Sequence, residues 1–247
     1  MKKTAIVTGA SRGIGFGIAS RLVQDAYHVV SMDLSAPAKD LDHITFLQGD
    51  LSIHADRERL VAKALEINGR IDLLVNNAGI GPDKRVDLLE MTQESYDKVM
   101  GVNLKAPLFL SQLVVQEMLK QTPQDDFLRG VIVNIGSISV SASSTNRGEY
   151  CLSKAAIPML TQLFATRFAG DGILAYEVRP GVTDTPLVPE ASRERFGKML
   201  EDGAFPIPRW GKPEDVANVV SILGSGTMRY TTGQAIYVDG GLMLQRI

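Results

Sequence analysis

Cysteine occurs once in the 247 residues, at Cys151, so no disulfide can form within the chain and a reducing compartment suits it. Histidine is almost as scarce. His28, His43 and His54 are scattered and lack the spacing of a metal site, so no metal is expected. Neither sign of charge dominates: 26 Lys and Arg stand against 28 Asp and Glu, a net charge of −2. That balance argues against a nucleic acid or an anionic membrane as partner. No apolar run approaches the ~20 residues that cross a bilayer. Met1-Lys2-Lys3-Thr4 leads into Ala5-Ile6-Val7, which is too short for the apolar region of a signal peptide. These absences leave a cytoplasmic protein acting on a small molecule as the expectation.

Hydrophobic residues make up 45% and charged ones 22%, ordinary values for a globular chain with a sizeable core. The length suits one large α/β domain over residues 1–247. Residues 4–8 read as a strand buried on both faces. The run Gly9-Ala10-Ser11-Arg12-Gly13-Ile14-Gly15 follows, then a helical stretch Phe16–Gln24. A glycine-rich turn between strand and helix lets backbone N–H groups approach a phosphate, aided by the helix dipole. The second strand, Tyr27–Met32, ends at Asp33. A carboxylate there suits a ribose 2′-hydroxyl and repels a 2′-phosphate, which favours NAD over NADP. Arg12 pulls the other way, because a guanidinium in the glycine loop can pair with a 2′-phosphate.

Further strands are expected at Ile44–Gln48, Ile71–Val75, Gly130–Ile135, Ile173–Val178 and Ala235–Val238. Ser52 is the expected N-cap of a helix over 53–68 ended by Gly69. Residues 93–120 read as helix interrupted near Gly101-Val102-Asn103, where a buried Asn either satisfies nearby backbone groups or breaks the ladder and holds a water. Residues 150–169 read as a helix that Pro158 kinks or that absorbs it at a packed face. Asp184–Pro208, with four prolines and a helical piece around Glu190–Leu200, reads as a substrate lid. A last helix starts at Lys212-Pro213-Glu214-Asp215. The alternation means a Rossmann-type doubly wound parallel sheet of about seven strands with helices on both faces.

Chemistry gathers around Tyr150-Cys151-Leu152-Ser153-Lys154. In a helix, residues four apart share a face, and an ammonium near a phenol favours its ionised form. Ser137, at the end of the fifth strand, supplies a hydroxyl for a carbonyl or alcohol oxygen. Such a Tyr–Lys pair alone is common by chance; its company along the chain is not. Cys151 reads as a small filler rather than a reactive thiol.

The ordered motifs resemble the short-chain dehydrogenase/reductase family over essentially the whole chain. They are Thr8–Gly15, Asn76-Asn77-Ala78-Gly79, Asn103, Ser137, Tyr150 with Lys154, and Pro180-Gly181-Val182-Thr183. The resemblance implies Tyr150 as general acid–base and Ser137 as the group orienting the substrate oxygen. It implies Lys154 as the partner of Tyr150 and holder of the nicotinamide ribose, and Asn103 as holder of a relay water. It gives the glycine loop (Gly9, Ser11, Arg12, Gly13, Ile14, Gly15) the pyrophosphate, Asp33 the adenosine ribose, and Asp50 and Leu51 the adenine. Asn77, Ala78 and Gly79, with Pro180–Thr183, complete the cofactor contacts. It further implies a homodimer or homotetramer built through the helices around 104–120 and 150–168, joined by Thr232–Leu242. The wording Asn134-Ile135-Gly136-Ser137 and Arg209-Trp210-Gly211-Lys212-Pro213-Glu214-Asp215 is similar to 3-oxoacyl-(acyl-carrier-protein) reductases, which usually take NADPH and lack an acid at the place of Asp33. That departure favours an NAD-linked dehydrogenase of a small secondary alcohol, polyol, sugar-like compound or hydroxy acid, met by Ser139 and Asn146 from the polar loop 139–147. The 3-oxoacyl reductase using NADPH is the alternative, and a catalytically silent nucleotide-binding scaffold is the alternative from another class.

Overall fold

Seven short runs of aliphatic and β-branched residues pair into one parallel sheet in the computed structural model, which describes residues 3–37, 42–186, 188 and 190–245. The strands are β1 Lys3–Thr8, β2 Tyr27–Asp33, β3 Ile44–Gln48, β4 Leu73–Asn76, β5 Gly130–Ile135, β6 Ile173–Pro180 and β7 Ala235–Val238. Their order across the sheet is β3-β2-β1-β4-β5-β6-β7. Among the described residues eight α-helices flank them: α1 Gly13–Gln24, α2 His54–Asn68, α3 Gln93–Met100, α4 Ala106–Lys120, α5 Gly148–Ala155, α6 Ile157–Phe168, α7 Glu190–Glu201 and α8 Pro213–Gly224.

The strand sequences are apolar on both faces because both faces are covered. Ala5, Val7, Leu73, Val75, Val131, Val133, Leu174 and Tyr176 point to one side, against Ile18 and Leu22 of α1 and Val216 and Val220 of α8. Ile6, Val30, Leu74, Ile132 and Ile173 point to the other, against Leu60 of α2, Leu110 and Val114 of α4, and Leu160 and Phe164 of α6. Each fully buried side chain of this kind contributes about 1.5–3 kcal/mol of transfer free energy. The strand alternation therefore builds two cores from one sheet.

The chain leaves β1 toward β2 and β3, then returns to place β4 on the other side of β1. Connections from β1 and β4 run in opposite directions and open a crevice at their carboxyl ends, where ligands of such sheets bind. In register, Val7 lies beside Val75 and Asn76 beside Asn134, so the motifs after β1, β4 and β5 start at one level.

Several boundaries differ from the sequence expectation. α1 begins at Gly13, so the last glycines of the loop already form its first turn. Ser52 does not cap α2: the capping position is Ile53, and the Ser52 amide instead donates to Asp50 Oδ1 at 2.8 Å. Asp50 closes that turn, as short acids do, so the serine arrives one residue too early. The stretch 150–169 is two helices, not one, with Pro158 in the first turn of α6, where its missing N–H costs nothing. α5 starts at Gly148, which puts Tyr150 in its first turn. Positions 187 and 189 of the expected lid, and Met1-Lys2, lie outside the described residues. Among the described residues no helix is long and apolar enough to cross a membrane.

Candidate active site

The cleft is knitted first from backbone. Thr8 Oγ1, at the end of β1, accepts from the amides of Asn77 and Ala78, both at 3.0 Å. Asn77 returns the contact, its Nδ2 donating to the carbonyls of Thr8 at 2.8 Å and Gly9 at 3.1 Å. The loops after β1 and β4 thus hold each other with four hydrogen bonds. Glycine is required for the approach: a Cβ on Gly15 would lie 2.2 Å from the Gly9 oxygen and 2.4 Å from Asn77 Nδ2. Gly9 has φ of +67°, and its Cβ would meet Ala78 Cα at 2.9 Å. Arg12 is exposed and extended, with no side-chain cap on α1. The first amides of α1 have no intrahelical partner, and no side chain caps them.

At the end of β2, Asp33 is half-buried and closes on the same loop. Its Oδ2 accepts from Ser11 Oγ at 2.5 Å and from the Ser11 amide at 3.3 Å, while Oδ1 accepts from the Leu34 amide at 2.8 Å. One of its roughly four lone-pair positions, on Oδ1, stays free for a ligand hydroxyl. Ser11's tie to Asp33 is a link the sequence reading did not make. Asp50 and Leu51, after β3, border the other side; Leu51 is buried, and the Asp50 amide donates to Asp56 Oδ2 at 2.7 Å.

The polar cluster lies at the same sheet edge, between β4, β5 and α5. Lys154 is buried, and its Nζ donates to the Ile135 carbonyl at 2.8 Å while standing 5.9 Å from the Tyr150 ring centroid. Asn103 sits in a π-turn, Gly101–Lys105, between α3 and α4. Its Oδ1 accepts from the Ile80 amide at 2.8 Å; its Nδ2 donates to the Ile80 carbonyl and to Ser153 Oγ, both at 2.9 Å. Ser153 in turn donates to the Tyr150 carbonyl at 2.8 Å. The Asn103 amide therefore both interrupts the helix and braces the loop after β4 against α5. Gly79 marks the gap between the two polar groups: a Cβ there would lie 3.4 Å from Asn103 Oδ1 and 3.5 Å from Lys154 Nζ.

Ser137 is buried at the end of β5, where its Oγ accepts from the Ser139 amide at 3.1 Å. Ser139 is also buried, and its Oγ accepts from Arg147 Nη2 at 3.2 Å. Asn146 is exposed and accepts from Ser144 Oγ at 3.0 Å, so it lies on the loop surface rather than in the cluster. Pro180 ends β6, and Val182 and Thr183 are buried beneath the segment around Gly211, whose amide donates to the Val182 carbonyl at 3.0 Å. Lys154 thus stands between Tyr150, Asn103 across Gly79, and the end of β5 that leads into Ser137, with the glycine loop, Asp33 and Pro180–Thr183 following other strand ends of the sheet. The sequence reading missed the arginine above the phenol: Arg147 Cζ is 5.0 Å from the Tyr150 ring centroid. Its place three residues before Tyr150 was the available signal. Among the described residues no group of His, Cys, Asp or Glu is arranged to hold a metal ion.

Comparison with known proteins finds likeness over nearly the whole chain. The family described as enoyl-(acyl carrier protein) reductase matches residues 9–243. A 3-oxoacyl-(acyl-carrier-protein) reductase of Thermotoga maritima is 35% identical, covering 98% of this chain and 98% of that protein. Human dehydrogenase/reductase SDR family member 4 is 36% identical over 97% of this chain and 87% of that protein. A solved 3-oxoacyl-(acyl-carrier protein) reductase from Brucella melitensis in complex with NAD superimposes with a TM-score of 0.91 at 35% identity, covering 100% of this chain and 99% of that one.

Proposed function

The chain belongs to the short-chain dehydrogenase/reductase family and is an oxidoreductase of carbonyl and CH–OH groups, and from that membership we propose that it reduces a 3-oxoacyl thioester to the 3-hydroxyacyl thioester with NADH. The observation that carries the reading is the buried Lys154 beside the Tyr150 ring, its Nζ tied to the Ile135 carbonyl two residues before Ser137. The substrate class rests on the near full-length likeness to two proteins named as 3-oxoacyl reductases. It displaces the polyol, sugar-like or hydroxy acid substrate favoured by Asp33 alone, because one of those relatives is solved with NAD. An NAD preference therefore does not argue against that activity.

The residues present fit a dinucleotide. The loop glycines leave room that a Cβ would fill, the α1 N-terminus offers amides, and Asp33 retains a free lone pair on Oδ1. Gly9, Ser11, Gly13, Ile14 and Gly15 would hold the pyrophosphate, Asp33 the adenosine ribose and Asp50 with Leu51 the adenine. Ala78, Gly79, Lys154 and Pro180–Thr183 would hold the nicotinamide end. Asp33 selects NAD over NADP, with exposed Arg12 turned to solvent. When bound, the cofactor supplies the hydride.

Ser137 donates to the substrate oxygen, having used only its acceptor side on Ser139. Tyr150 gives its hydroxyl proton to that oxygen as the alcohol forms, a general-acid step worth about 10²–10⁴ in rate. Lys154 places its positive charge on the side of the phenolate left behind. Asn103, beside Lys154 across Gly79, positions a water for the proton that must return. Arg193 pins the lid by donating to Asp184 Oδ1 at 2.8 Å and the Thr185 carbonyl at 2.9 Å. Phe109, Leu152, Met159 and Leu163 stand exposed on α4, α5 and α6; an apolar set of that kind supports association into a homodimer or homotetramer in the cytoplasm. The test is consumption of NADH and NADPH with acetoacetyl thioesters, sugars and polyols. Turnover of the thioester with NADH is expected; turnover of sugars or polyols alone would overturn the substrate reading.

A further inference from the structure

Arg147 lies over the Tyr150 phenol, Arg85 reaches from the loop after β4 to Ser192 of α7, and Arg195 stands one turn further along α7; none of the three forms an ion pair among the described residues. Arg147 lies over the ring at 5.0 Å and spends one N–H on Ser139. Its Nε is buried without a partner, an expensive state for a charged donor. Arg85 comes from the loop after β4 and reaches across the cleft to α7, where Nη1 meets Ser192 Oγ at 3.4 Å. Arg195 is exposed on α7 and stacks by its guanidinium only on Phe196, at 5.4 Å. The three charges are felt together. Burial first, then the positive charges of Arg147 and Arg195, hold the Arg85 guanidinium below its ordinary value, while Tyr150 acts in the opposite sense.

The neighbouring charges do not neutralise them. Arg193 is matched by Asp184, Lys98 by Asp83, and the buried Glu149 accepts from Ser95 Oγ at 2.6 Å. Like charges gathered without counter-ions destabilise the free enzyme and are relieved by an anion. A guanidinium with unused N–H groups in a fixed fork is the donor best shaped for carboxylate or phosphate oxygens.

We propose that Arg85, Arg147 and Arg195 form an oxyanion subsite beside Tyr150, so that the substrate enters with a carboxylate or phosphate seated between the loop after β4 and α7. The proposal rests on the carbonyl-reductase reading for its substrate. It adds that the compound is anionic, and that α7 closes on it through Arg195. Two sources carry the shared chemistry: a carboxylate on the oxo compound itself, or the phosphate of a carrier arm bearing it as a thioester.

The test compares wild type with Arg147→Gln, Arg85→Ala and Arg195→Ala at saturating NADH. The substrates are acetoacetate against its neutral ethyl ester, and S-acetoacetyl phosphopantetheine against S-acetoacetyl pantetheine. The readout is the ratio of kcat/KM for the charged over the neutral member of each pair. A drop in the ratio of about ten- to a hundredfold, the worth of a charge-assisted hydrogen bond, is expected in one pair. A drop in the first pair assigns the anion to the substrate, and a drop in the second to the carrier arm. Equal losses for charged and neutral members in both pairs would overturn the subsite. If wild type turns over none of the four, the reductase reading fails, and calorimetric binding of the same compounds to the enzyme–NADH complex decides the subsite. A charge preference lost in the arginine variants sustains it, and no preference refutes it.

Discussion

Replacing Gly15 by Ala isolates the contact that joins the two halves of the crevice. The new Cβ would stand 2.2 Å from the Gly9 oxygen and 2.4 Å from Asn77 Nδ2. Unstrained contact needs about 3.5 Å, so the loops after β1 and β4 must part by more than about 1 Å. Overpacking of this kind costs about 1–3 kcal/mol, and weakening the two Asn77 side-chain bonds adds about 1 kcal/mol each, so the expected loss is about 3–5 kcal/mol. Cofactor affinity should fall with it, because the displaced backbone is the cradle itself. Gly197→Ala is the matched control: a Cβ there meets nothing within 4 Å in mid-α7, so a gain of about 0.5–1 kcal/mol is expected. Urea denaturation gives the stability and NADH fluorescence titration the affinity. A Gly15→Ala protein as stable as Gly197→Ala, with unchanged NADH binding, would refute the reasoning.

Asp33→Ala should lower the NADH-over-NADPH binding preference about tenfold or more, since a charged hydrogen-bond acceptor and a repulsive charge go together; an unchanged preference would mean another residue selects. Asp125 accepts from the amides of Phe127 and Leu128 and from Arg229, which hold its carboxyl down at about 2. A depressed folded value stabilises above the unfolded value of about 4, and that stabilisation is lost as pH falls toward 2. Asp125→Ala should therefore be less stable than wild type at neutral pH and converge with it in acid. A gap of constant size across that range would contradict the linkage. Asn103→Ala removes three braces between the loop after β4 and α5, so it should cut both thermal stability and turnover; loss of neither would show that the brace is not needed.

The sheet was readable because each strand is a continuous apolar run ended by a turn signal, and two-sided burial needs no finer pattern. The parallel, doubly wound arrangement followed from the alternation with helices. Helix starts were less readable. Ser52 is a good cap by type, but the neighbouring Asp50 takes its amide, a competition that only backbone geometry decides. Gly13 to Gly15 read as loop because glycine disfavours helix, yet that turn is the start of α1. Pro158 was placed correctly as a disruption, and the structure turns it into a helix start. At the site, Tyr150 and Lys154 could be placed together because they share a helix face, and Ser137 because it follows a strand end; Asn103, which lies in a π-turn, was singled out by the order of motifs. Arg85 and Arg195 were not. They are far apart in sequence and carry no motif, and only the fold brings Arg85 from the loop after β4 to Ser192 on the helix that bears Arg195. Asn146 was attractive by type, but its side chain stays on the loop surface with Ser144.

The central claim is that the Tyr150 hydroxyl delivers the proton to the reacting oxygen. It is tested most directly by Tyr150→Phe, comparing NADH oxidation by acetoacetyl thioester with NADH binding in the same preparation. The account expects kcat/KM to fall by about 10²–10⁴ or more, with cofactor affinity nearly intact. Turnover within a few-fold of wild type, with NADH still bound, would contradict it.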